Sequence, residues 1–134
     1  MTALTSGIHH VGLTVSNLEA SAKFFTELLG WSEVKRNPDY PAIFVSDGKI
    51  MLTLWSSKTD APVSFDRKTN VGLHHLALQV ESEGNLNTVY EVLTKAGITV
   101  EFSPELVKEG PAKHMMCYDP SGIRVEFFWS GVSE

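Results

Sequence analysis

Cysteine is nearly absent from this sequence: Cys117 stands alone among 134 residues, so no disulfide can close within the chain. That fits a reducing compartment, and the expectation is a cytoplasmic protein. Long apolar runs are missing too; none approaches the roughly 18 residues of a membrane-spanning helix. The chain does not open on a basic region followed by an apolar run, so it reads as lacking a signal peptide. A basic surplus is also missing. Eleven Lys and Arg against 16 Asp and Glu leave a formal charge of −5. That argues against a nucleic-acid partner and leaves small molecules open.

What is there is one domain's worth of chain with an ordinary apolar content of 43%. Folding at this size buries about two-thirds of the surface without a staple. One stretch occurs twice. Residues 8–15 read I-H-H-V-G-L-T-V and residues 73–80 read L-H-H-L-A-L-Q-V, and four of the five histidines lie in these copies. In the first, Val11, Leu13 and Val15 alternate with Ile8, His10, Gly12 and Thr14, the period of a half-buried strand. In the second, Leu76, Leu78 and Val80 alternate with His75, Ala77 and Gln79. His9 and His74 read as strand-start residues on the opposite face.

Each copy leads into a helix. Ser16 and Glu19 form a capping-box pattern; Leu18, Ala22, Phe25 and Leu28/Leu29 make an apolar stripe, and Gly30 a stop. A strand over 31–36 and a hairpin of 42–46 with 49–55, turned by Asp47-Gly48, complete a β-α-β-β-β unit. Residues 57–72 read as a polar linker. The second unit repeats the order: strand 74–80, helix 85–96 with Leu86, Val89, Tyr90 and Leu93 inward, strand 98–102, a loop over 103–112 that suits a lid, and strands 113–118 and 123–129. The predicted fold class is α+β: two tandem βαβββ units, 7–56 and 73–131, forming a cup-shaped mixed sheet with helices outside, in one domain spanning 1–134.

The final strands align on their glycines, D-G-K-I-M-L-T-L-W-S over S-G-I-R-V-E-F-F-W-S. That alignment makes positions 10, 75, 52 and 126 equivalent, holding His10, His75, Leu52 and Glu126. Two imidazoles and a carboxylate from three strands suit one divalent ion (Fe, Mn, Co, Ni or Zn) with open positions for substrate and water. A salt bridge is the other way to compensate a buried Glu126. His114 and Tyr118 are candidate proton-moving groups. Thr14, Leu52, Gln79, Arg124 and Phe128 are candidate pocket residues, and Cys117 reads as an inert buried thiol.

The sequence resembles the vicinal-oxygen-chelate superfamily of glyoxalases, bleomycin-resistance proteins, fosfomycin-resistance enzymes and extradiol dioxygenases. The carriers are residues 8–31, H-H-L-A-L-Q-V at 74–80 and C-Y-D-P-S-G-I-R-V-E-F-F-W at 117–129. The resemblance implies that His10, His75 and Glu126 hold a metal that chelates vicinal oxygens of a small substrate. It also implies a homodimer, with units paired within a chain or exchanged between chains. Glyoxalases carry a fourth ligand, Glu or Gln, where Leu52 stands; were Thr53 the equivalent, it would still be a poor ligand. Extradiol dioxygenases and fosfomycin enzymes use three ligands, but favour a Tyr where Met116 stands. The expectation is dioxygenase-like or transferase-like chemistry over glyoxalase chemistry, with a metal-free drug-sequestering protein as the alternative.

Overall fold

The computed structural model describes residues 2–132. The chain falls into two compact units, Met1–Pro62 and Val63–Glu134. Each carries its own four-stranded sheet.

The first unit runs β1 (His10–Val15), α1 (Leu18–Lys23), β2 (Ser32–Asn37), β3 (Ala42–Ser46) and β4 (Met51–Ser56). Its sheet order is β1-β4-β3-β2, with β1 and β4 parallel and the other neighbours antiparallel. The cap of α1 is Asn17, whose side chain accepts from the Ala20 amide, rather than the expected Ser16. A π-helical turn, Phe24–Leu28, extends α1. Its wider spacing lets the adjacent Phe24 and Phe25 both bury, edge to face at 5.0 Å, and Phe25 meets Trp31. Leu13, Val15, Ile43, Val45, Leu52 and Leu54 form the buried face of the sheet.

The second unit runs β5 (Leu76–Gln79), α2 (Glu83–Lys95), β6 (Val100–Leu106), β7 (Lys113–Tyr118) and β8 (Arg124–Trp129), with sheet order β5-β8-β7-β6. Ser82 caps α2 by accepting from the Asn85 amide, and Leu86 and Leu93 are fully buried. Three expectations need correction here. His75 immediately precedes β5 instead of lying within it. Four of the ten residues of the expected 103–112 loop are strand: β6 continues through Pro104 to Leu106, which pairs with Lys113. Proline is tolerated because β6 is an edge strand whose register shifts between Phe102 and Glu105. The second half of the expected linker is bound to this unit: Asn70 accepts from the Asp66 amide, and Arg67 reaches Tyr118.

Strand pairing also shifts the repeat alignment by one residue. Val11 pairs with Leu52, and its counterpart Leu76 pairs with Val125; Gly12 pairs with Thr53, and Ala77 with Glu126. The counterpart of Glu126 is therefore Thr53. Leu52 lies on the opposite face, fully buried with Val45 beside it, and drops out as a pocket residue. The cause is hairpin length. Ser46 pairs with Met51, whereas Tyr118 pairs with Arg124 across a longer turn. Asp47 accepts from the Lys49 and Ile50 amides, Asp119 from those of Ser121 and Ile123. Aligning the two turns on their glycines slips the strands by one, which exchanges the two faces.

Replacing Asn17 by Ala removes the side-chain acceptor at the start of α1. The expected loss is about 0.5–2 kcal/mol, read from the midpoint of urea denaturation, with Ser16→Ala much closer to wild type.

Candidate metal centre

Glu126 stands mid-strand on β8 with a side chain only 10% exposed, and both of its oxygens face imidazoles. His75 Nε2 lies 3.2 Å from Oε1. His114 Nδ1 donates to Oε2 at 2.5 Å. The alternation of the sheet produces this meeting. His114 on β7 sits diagonal to Glu126, since Met116 pairs directly with Glu126 and His114 with Phe128. His75 reaches in from the start of β5, next to the Ala77–Glu126 pair. The His114 ring is clamped between Phe102, at 4.8 Å, and Phe128, at 6.1 Å.

His75 is itself held from behind. Its Nδ1 lies 2.8 Å from Nδ1 of His74, with the rings edge to face. Arg124 Nη1 donates to that same His74 nitrogen at 3.4 Å. Desolvation and then the positive Arg124 lower the tendency of His74 to protonate. Arg124 is fixed by Glu101, with Nε donating to Oε1 at 2.9 Å and Nη2 to Oε2 at 2.8 Å. The Tyr118 hydroxyl also donates to Glu101, and accepts from Arg67 Nη1 at 3.3 Å. The Arg124 guanidinium, helped by Tyr118, holds the Glu101 carboxyl down at about 2.

This arrangement revises several expected roles. Arg124 is charge-compensated by Glu101, so it is not a free anchor for an anion. Tyr118 is committed to the Glu101 cluster. His114 holds the Glu126 carboxylate. Gln79 and Thr14 are exposed on β5 and β1. His74, Glu101 and Arg67 were not singled out by sequence; the His-His doublet was the only signal, for His74. Cys117 is buried, which pushes its thiol up to about 12.

In the first unit, His10 pairs its Nδ1 with that of His9 at 2.9 Å, repeating the doublet geometry. On the same sheet face Trp55 Nε1 donates to Thr53 Oγ1 at 2.9 Å. A Cβ at Gly12 would stand 3.2 Å from that hydroxyl. Tyr40 and Phe44 flank Trp55 at 5.1 and 5.7 Å, and Lys58 Nζ lies 4.1 Å over Tyr40.

Among the described residues no group of three His, Cys, Asp or Glu side chains is placed to hold a metal ion. Two of the three expected ligands do meet. A nitrogen and an oxygen sharing one ion at about 2.0–2.2 Å stand about 3 Å apart, and the His75–Glu126 separation matches that spacing. The donor chemistry of the pair therefore fits a divalent ion.

The family model of the Glyoxalase/Bleomycin resistance protein/Dioxygenase superfamily matches residues 7–127. The chain belongs to this superfamily. It is 31% identical over 124 residues to the uncharacterized protein YqjT of Bacillus subtilis, covering 89% of this chain and 95% of that one. It is 25% identical over 129 residues to a manganese-dependent 2,3-dihydroxybiphenyl 1,2-dioxygenase of Geobacillus genomosp. 3, covering 96% of this chain but 38% of that enzyme. Among solved structures, a glyoxylase/bleomycin resistance protein/dioxygenase domain from Frankia sp. EAN1pec superposes with a TM-score of 0.82 at 28% identity, over 94% of this chain and 98% of that one. The superfamily therefore includes metal-dependent dioxygenases. Among the described residues no helix is long and apolar enough to cross a membrane.

Glu101 titrates below its ordinary value of 4.5, so its stabilisation is present above that pH and is lost as pH falls towards about 2. Urea denaturation of wild type and Glu101→Gln at pH 6 and pH 3 should show the difference between the two proteins shrinking at the lower pH.

Proposed function

We propose that this protein is a divalent-metal-dependent enzyme acting on a small, oxygen-rich molecule, with His10, His75 and Glu126 as the metal ligands. The observation that carries this reading is the facing pair of His75 Nε2 and Glu126 Oε1 at 3.2 Å. A bound ion would act as a Lewis acid on chelated substrate oxygens. The rest of the chemistry falls to the chain. His114 holds the second Glu126 oxygen and orients the carboxylate. Phe102 and Phe128 keep the His114 ring in place. Where glyoxalases offer a fourth ligand, this chain has Thr53, whose hydroxyl is engaged by Trp55. That supports three-ligand chemistry of the dioxygenase or transferase type over the glyoxalase type. On this reading the protein works in the cytoplasm as a homodimer, with His10 supplied by the same chain or by its partner.

The Tyr40, Phe44 and Trp55 cluster on the His10 face of the first unit favours a second reading, a metal-free binding protein that stacks aromatic ligands. Metal content separates the two. Elemental analysis of purified wild type should find about one divalent ion per chain, removed by chelator, and Glu126→Ala should lose it while keeping its circular dichroism spectrum. Wild type that takes up no ion when Fe, Mn, Co, Ni and Zn are all offered would favour the binding protein.

A further inference from the structure

His74 was expected to be a bystander at the start of a strand. Its surroundings give it a task. A guanidinium only donates hydrogen bonds and is always charged. Arg124 Nη1 faces His74 Nδ1, so that nitrogen presents its lone pair and not a proton. The same nitrogen lies 2.8 Å from His75 Nδ1. Two imidazole nitrogens at that distance need one proton between them, and it must then sit on His75 Nδ1. A neutral His75 protonated at Nδ1 is bare at Nε2, the atom that faces Glu126 Oε1. A lone pair and a carboxylate oxygen confronting each other at 3.2 Å repel unless a metal ion or a further proton on Nε2 stands between them.

We propose that His74 is a positioning residue: by accepting from His75 Nδ1–H it selects the His75 tautomer whose Nε2 lone pair is aimed beside Glu126. The selection is relayed from Glu101, which locks Arg124 by two hydrogen bonds, through Arg124 to His74. Glu126 is held from its other side by His114. The two halves of the pair are thus oriented by separate partners, as metal-binding imidazoles and carboxylates commonly are. In the first unit the His9–His10 contact has the same geometry. Among the described residues no guanidinium hydrogen-bonds to that doublet. The assignment of a tautomer rests on the His74 contacts alone; its use for metal binding rests on the function proposed above.

The test uses the full-length protein freed of metal, at a pH above the ordinary imidazole range. Long-range 15N–13C correlation spectra of His75 should show a protonated Nδ1 and a bare Nε2 in wild type. His74→Asn keeps an acceptor oxygen near the place of Nδ1 and should retain this signature. His74→Phe keeps a ring without an acceptor and should release His75 to a mixture of tautomers. Titration with Zn2+ alone should then give near-wild-type affinity for His74→Asn and a loss of about 10–100-fold for His74→Phe. A wild-type His75 protonated at Nε2, or unchanged His75 spectra in His74→Phe, would overturn the proposal even if zinc binds. The expected spectra with no zinc uptake would leave the tautomer assignment standing and overturn the metal reading instead.

Discussion

A carboxylate nine-tenths withdrawn from water must be compensated, and the second unit is arranged around that demand at Glu126. Its two oxygens are approached by His75, just before β5, and by His114 on β7; β5 and β7 are the strands on either side of β8. Neither imidazole is loose. His114 is wedged between Phe102 and Phe128, and His75 is backed by His74. The charges that flank the site are spent on one another, with Glu101 bridging Arg124, Tyr118 and Arg67. What remains is the 3.2 Å gap between His75 Nε2 and Glu126 Oε1.

The two units use the same strands differently. On the first, the position matching Glu126 carries Thr53, and its hydroxyl is turned to Trp55 under the open backbone of Gly12. Duplication has kept the histidine doublet and the sheet while the carboxylate appears once. Trp55, two residues beyond Thr53 and flanked by Tyr40 and Phe44, matches Phe128, two residues beyond Glu126.

Much of this is legible in the sequence alone. Alternation of apolar residues located β1 and the core of β5, the turn residues located the hairpins, and the histidine doublets exposed the duplication. His75 and Glu126 emerged as partners from the alignment of the two repeats and from the family resemblance. The one-residue error at Leu52 shows where such reading stops. Asp47-Gly48 and Asp119-Pro120-Ser121-Gly122 both announce a turn, but only the amides that Asp47 and Asp119 accept define how many residues each turn consumes. Pro104 misled in the same way, since nothing in its neighbourhood says that β6 lies at an edge.

The sequence by itself determined the superfamily fold and two of the residues that meet at the site, because hydrophobic period and strand parity are local properties of the chain. Tertiary structure decided which strands are neighbours, hence that His114 serves Glu126, that Arg124 is spent on Glu101, and that His74 stands behind His75. Those contacts join residues 12, 23 and 50 positions apart or sit at an angle that a strand pattern does not specify. They depend on hydrogen bonds whose direction only the assembled sheet sets.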